Sequence, residues 1–156
     1  MAKKTKQSKT LPIYILNGPN LNLLGEREPE VYGYTTLAQI GKMCADRASQ
    51  YGLATLFHQS NHEGEIVDQL QEARTSGSAV IINPAGYGHT SVAILDSILA
   101  CAIPVIEVHL SNIHRRDPFR NHSYVSKGAT GIIMGLGAQG YLRAIDAIAE
   151  ILKVKK

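Results

Sequence analysis

Several things are scarce in this chain of 156 residues. Cysteine occurs twice, no apolar run nears twenty residues, no segment repeats, and lysine is almost confined to the two ends. Each scarcity excludes something. Cys44 and Cys101 lie far apart, match no redox or metal spacing, and fall in expected helices. They read as buried free thiols, which suits a reducing, cytoplasmic compartment. A bilayer-spanning helix needs about 20 apolar residues, so no membrane segment is expected. Lys3, Lys4, Lys6 and Lys9 begin the chain and Lys153, Lys155 and Lys156 end it. Between them, residues 11–152 hold nine basic against thirteen acidic side chains, a net charge of −4. The pI of about 8.9 therefore belongs to the ends, and no basic face for nucleic acid is expected. Residues 1–10 are polar, with no apolar stretch of the kind a secretory signal carries, and are expected to be a disordered basic tail. Residues 11–156 are expected to form a single domain.

What is present is an alternation. Five short apolar runs, Leu11–Leu16, Leu53–His58, Ala79–Asn83, Ile103–His109 and Gly131–Met134, are continuous and rich in Val and Ile. That is the pattern of parallel strands buried on both faces. Helical patterns separate them. One runs from a Thr36 cap to about Tyr51, one from Glu63 to Thr75, one from Thr90 to Ala102 and one from Ala138 to Leu152. Five strands alternating with helices predict an α/β fold: a flavodoxin-like, doubly wound parallel sheet in the order 2-1-3-4-5.

In such sheets ligands sit beyond the carboxyl ends of the strands, and the polar residues gather there. The first run delivers Asn17 and Asn20, the second His58, Ser60, Asn61 and His62, the third Asn83, Gly86 and His89. The fourth delivers Glu107, His109, Ser111, Asn112, His114, Arg115 and Arg116, with Arg120 soon after. Arg27 stands five residues before Tyr32 in a loop punctuated by Gly and Pro, which is a way to hold a phenolate near neutral pH. An unperturbed tyrosine is only about 0.1% ionised at pH 7, a handicap of about 4 kcal/mol for a base. Other readings compete. Gly135–Gly140 matches a dinucleotide fingerprint, but too little chain follows for the acidic residue of that motif. Glu107, His109 and His114 are conceivable metal ligands without a short-range signature. Ser111 lacks the spacing of a nucleophile elbow.

The segments NGPNLNLLGEREPEVYG at 17–33, INPAGYGHTSVAILD at 82–96, IEVHLSNIHRRDPFRNHSYVS at 106–126 and GATGIIMGLGAQGY at 128–141 closely resemble type II 3-dehydroquinate dehydratases of the shikimate pathway. Departures are Gly88, where many relatives have threonine, and Ala85, where some have glycine. The resemblance implies a hydro-lyase with no cofactor and no metal, commonly a homododecamer built of trimers. Its reaction is an anti elimination of water from 3-dehydroquinate through an enolate, without a Schiff-base lysine. Lys42 and Lys127 are the only lysines away from the ends, and neither sits in a strand-end motif. By resemblance Tyr32 is the base, His109 the acid, Arg27 the residue that stabilises the phenolate and Asn20 the holder of a water at the enolate oxygen. Glu107 would orient His109. Asn83, Leu110 and Ser111 would hold the substrate carboxylate, and His89 and Arg120 its hydroxyls. Asp96 would serve a neighbouring subunit's site. Residues 21–32 would form a lid. A flavin- or nucleotide-binding module, or a non-catalytic sensor of carbohydrate acids, are the rival readings.

Overall fold

The computed structural model describes residues 10–153, so the tail expected at 1–10 lies, apart from Thr10, outside the described residues. Five parallel strands form one sheet: β1 (Ile13–Asn17), β2 (Thr55–Gln59), β3 (Ala79–Asn83), β4 (Val105–His109) and β5 (Gly131–Met134), in the order β2-β1-β3-β4-β5. The predicted order is the observed one. β3 and β5 span the predicted residues; β1, β2 and β4 start two residues later, because Pro12 and Pro104 stand at the entries of β1 and β4 and Gly52 ends the preceding turn.

The central strands β1, β3 and β4 are buried at every residue. Two cores lie against the two faces of the sheet. One packs α2 (Leu37–Ser49) and α5 (Gln139–Ile151) against Ile13, Ile15, Ile81 and Val108. The other packs α3 (Glu63–Ser76) and α4 (Val92–Ala100) against Tyr14, Leu16, Val80 and Ile82. Thr36 caps α2 as expected, in a capping box: its side chain accepts from the Gln39 N–H, and the Gln39 side chain accepts from the Thr36 N–H. Arg47 of α2 grips Asp146 of α5 through two hydrogen bonds of 2.7 Å, joined by Tyr51 at 2.7 Å. The Arg47 bonds and the Tyr51 hydroxyl outweigh desolvation and hold the Asp146 carboxyl down at about 2.

Between β1 and α2 the chain carries a 3-10 turn at Leu21–Leu23 and one helical turn, α1 (Pro29–Tyr32). Leu21 and Leu24 are buried, but no residue from Gly25 to Thr36 is. No helix among the described residues is long and apolar enough to cross a membrane.

Candidate active site

A cleft opens at the carboxyl end of the sheet, over β1, β3 and β4. It holds about 700 Å³ with its mouth included, a size suited to a small molecule. Three loops close on it. The first leaves β1 at Gly18, whose N–H donates to the Asn83 carbonyl at 2.8 Å. A Cβ there would come within 2.4 Å of the Pro84 oxygen, so only glycine lets the loops after β1 and β3 meet. Asn20 follows in the left-handed region, φ 67°, with its N–H donating to the Asn61 side chain at 3.0 Å.

The same loop carries Arg27 and Tyr32 into the cleft. The Tyr32 oxygen accepts from Arg116 Nη1 at 2.7 Å. Arg27 lies with its guanidinium carbon 5.7 Å from the Tyr32 ring centre and pairs with Glu28 at 3.1 Å. The arginine on the phenol oxygen is thus Arg116, eighty-four residues away in sequence, while Arg27 flanks the ring.

β4 supplies the opposing chemistry. Glu107 and His109 are two apart, so their side chains share a face of the sheet. His109 Nε2 donates to Glu107 Oε1 at 2.6 Å. Glu107 is wholly buried and accepts two further bonds, from Ser123 at 2.5 Å and from Ser126. Burial pushes its carboxyl up, but the bonds from His109, Ser123 and Ser126 together outweigh it and leave it below the ordinary range. The carboxylate fixes Nε2–H on His109, which leaves Nδ1 to the cleft that His109 lines. Glu107 itself stands behind His109 rather than in the wall.

His89 stacks on His109, ring centres 6.4 Å apart. Its Nδ1–H donates to the His122 carbonyl at 2.7 Å, and His122 Nε2–H returns a bond of 2.9 Å to the His89 carbonyl. Burial, reinforced by His109, Arg120 and His122 and opposed only by the His122 carbonyl, pushes His89 below the usual imidazole value. At neutral pH it is uncharged and presents Nε2 as an acceptor. Gly88 before it is closely packed: a Cβ would lie 2.9 Å from Pro84 Cγ and 3.3 Å from Ser123 Oγ, so a larger residue here requires the Pro84 ring to shift. Ala85, at φ 50°, occupies a conformation that favours glycine.

Asn83, Leu110, Ser111 and Arg120 also line the cleft. Arg120 Nε is buried with no hydrogen-bond partner, and Asp117 stands at 3.8 Å. A buried guanidinium N–H without an acceptor is costly, and an oxygen-rich anion would satisfy it. Arg27, Arg116 and Arg120 line the cleft and, among the described residues, no carboxylate does, although Glu28 pairs with Arg27 and Asp117 stands near Arg120; the wall is thus a receptacle for negative charge.

Other residues singled out in the sequence stand apart from the cleft. Asp96, expected to serve a neighbouring subunit's site, is exposed on α4. Ser60 and Asn61, at the end of β2, brace the loops instead, Asn61 accepting from both Asn20 and Gln59. His114 is exposed, and among the described residues no three His, Cys, Asp or Glu side chains are grouped to hold a metal. The glycine-rich loop after β5 has committed its N–H groups: Gly135 to the His109 carbonyl at 3.2 Å and Gly137 to the Leu110 carbonyl at 3.0 Å. These bonds splint the end of β4.

A five-stranded open α/β sheet bearing a tyrosine–arginine pair and a glutamate-backed histidine in one cleft defines a protein with paired acid–base groups and a taste for anions. The sequence profile of the family Dehydroquinase class II matches residues 11–149, and this chain belongs to that family. It is similar to the 3-dehydroquinate dehydratase of Streptomyces coelicolor, 55% identical over 141 residues that cover 90% of each chain. It is 56% identical over 151 residues to 3-dehydroquinate dehydratase 1 of Ralstonia nicotianae, covering 96% of this chain and 97% of that one. In structure it resembles the type II dehydroquinase of Propionibacterium acnes, with a TM-score of 0.87 at 39% identity over 90% of this chain and 97% of the other.

Proposed function

We propose that this chain is a 3-dehydroquinate dehydratase, removing water from 3-dehydroquinate to give 3-dehydroshikimate. The observation that carries this reading is the pairing in one cleft of Tyr32, bonded to Arg116 at 2.7 Å, with His109, backed by buried Glu107 at 2.6 Å.

Elimination from a β-hydroxy ketone needs a base beside the carbonyl, a group to steady the enolate and an acid for the departing hydroxyl. Tyr32 as phenolate takes the proton, its charge held by Arg116 and Arg27. The electron pair moves onto the ketone oxygen, and Asn20 holds a water that donates to it. His109 Nδ1–H then protonates the leaving hydroxyl as the enolate collapses, and water departs. Tyr32 ends protonated and His109 neutral, and solvent exchange restores both. Asn83, Leu110 and Ser111 hold the substrate carboxylate, and Arg120 and His89 take its ring hydroxyls. No step calls on a metal or cofactor.

The proposal includes assembly as a homododecamer of trimers in the cytoplasm, with Asp96 reaching a neighbouring subunit's cleft. The outer face of α4 supports association, since it exposes Val92 and Leu99 beside Asp96. Size-exclusion chromatography with light scattering tests that part; a monomer would remove it.

The decisive assay adds 3-dehydroquinate and follows the ultraviolet absorbance of the conjugated enone product. Absorbance should grow in proportion to enzyme and survive exhaustive chelation. Silence, together with a thermal shift on adding nucleotide, would instead favour a nucleotide-binding module.

A further inference from the structure

We infer that Tyr141, on the first turn of α5 and outside the cleft, is a positioning residue that sets the direction in which Asn83 presents its amide to the substrate. The inference rests on the function proposed above. Its basis is a relay of four hydrogen bonds across the carboxyl edge of the sheet. The Ala85 N–H donates to Asn83 Oδ1 at 3.2 Å, and Asn83 Nδ2 donates to the Tyr141 hydroxyl at 3.0 Å. The Tyr141 hydroxyl donates to Asn17 Oδ1 at 2.7 Å, and Asn17 Nδ2 donates to the His58 carbonyl at 2.9 Å.

Both ends of this relay are backbone groups with one possible role. An amide N–H can only donate, and a carbonyl can only accept. Ala85 therefore compels Asn83 to turn its oxygen inward, and His58 compels Asn17 to turn its oxygen toward Tyr141. Only a side chain that accepts from one amide and donates to the other fits between, and a hydroxyl does both. Burial pushes the Tyr141 phenol up, with only the Asn83 bond acting to lower it, so the hydroxyl keeps its proton. Tyr141, Asn17 and Asn83 are all buried, so water has no ready access to replace the link. Asn83 has one amide hydrogen left after Tyr141, and Asn83 lines the cleft. The relay makes that group a fixed donor, suited to a substrate carboxylate or hydroxyl oxygen. Without the hydroxyl, Asn83 loses the partner that tells nitrogen from oxygen.

The test is Tyr141→Phe, with Tyr14→Phe as control. Tyr14 is equally buried, and its hydroxyl donates to Glu72 at 2.8 Å in the other core, away from the cleft. Tyr141→Phe should raise KM about tenfold, the loss of one directed hydrogen bond, with kcat within about threefold of wild type. Tyr14→Phe should lower thermal stability and leave KM alone. In an Asn83→Ala background the Tyr141→Phe effect on KM should vanish. An unchanged KM in Tyr141→Phe, or a KM effect that persists without Asn83, overturns the inference. A second readout does not need turnover: one Asn83 side-chain amide proton, bonded to the Tyr141 hydroxyl, should exchange slowly with solvent by NMR in wild type, and in Tyr141→Phe it should change chemical shift and exchange faster. Identical amide signals in both proteins also overturn it. A wild-type protein with no dehydratase activity defeats the proposed function, while the amide signals still judge Tyr141.

Discussion

His109 and Tyr32 face one cleft from supports of opposite kind. His109 ends a strand buried at every residue, and its ring is tied to a carboxylate that two serine hydroxyls also hold. Tyr32 ends a single helical turn with no buried residue, between the left-handed Glu28 at φ 42° and Gly33 at φ 80°. Its oxygen is fixed from outside its own segment, by Arg116. Local stability follows buried apolar contact. In the proposed mechanism the acid half is thus held by the sheet itself, whereas the base half is held by charge, on a segment with no buried residue between Leu24 and Ile40.

The comparison is broken most severely at the base. Tyr32→Phe keeps the ring and removes the proton acceptor, so kcat should fall about 10²–10⁴-fold while a substrate analogue still binds. Retention of more than a tenth of wild-type kcat, measured by enone absorbance, would mean that the segment only packs there and that the base lies elsewhere.

Next come the two cations. Arg116→Ala and Arg27→Ala should each lower kcat about ten- to a hundredfold, the scale of one charge-assisted contact, and move KM less. In a Tyr32→Phe background neither should cost much more, since all three serve one function. An Arg27→Ala effect confined to KM would detach that residue from the base and make it a substrate contact.

On the proposed acid half, Glu107→Gln should lower kcat about tenfold or more, because an amide, with one oxygen, cannot accept from His109, Ser123 and Ser126 as the two carboxylate oxygens do. The same change bears on pH. The folded Glu107 carboxyl lies below its unfolded value. Its contribution to stability is thus complete above the unfolded value of about 4.3 and is lost as pH falls through the folded one. Wild-type stability should drop more steeply below about pH 4 than that of Glu107→Gln, as read by urea unfolding across pH. Parallel curves would show that Glu107 is not held as a buried anion.

The smallest effect concerns the rear anchor of the lid. Thr36→Ala removes half of the capping box where the loop rejoins α2, at about 1 kcal/mol, or roughly 3 °C in Tm for a chain of this size. kcat should stay close to wild type. A large fall in kcat would show that the lid's motion, not its chemistry, is set at this cap.

How much of this was legible in the residues differs along the same divide. β3 and β5 can be read to the residue, and α3 nearly so from Glu63, because apolar periodicity and the Gly77 stop after α3 are local signals. The pair Glu107 and His109 is legible too, since residues two apart on a strand share a face. Arg27 beside Tyr32 could be read as a pair, but Arg116 was only one of several basic residues after β4. No spacing rule links residues 32 and 116. The clasp of His89 by His122 and the hold of Ser123 and Ser126 on Glu107 likewise join segments that meet only when the loops after β3 and β4 fold together.

By itself, then, the sequence determined the alternation of strand and helix, the sheet order that this alternation favours, and the set of polar residues delivered to one edge, because each depends on the pattern of near neighbours. Tertiary structure alone decided which arginine bonds the Tyr32 oxygen, which ring nitrogens of His89 and His109 face the cleft, why Gly18 tolerates no side chain, and how Tyr141 directs Asn83. Those are matters of ångström-scale approach and hydrogen-bond direction between segments far apart in the chain, and only the packed sheet with its closed loops fixes them.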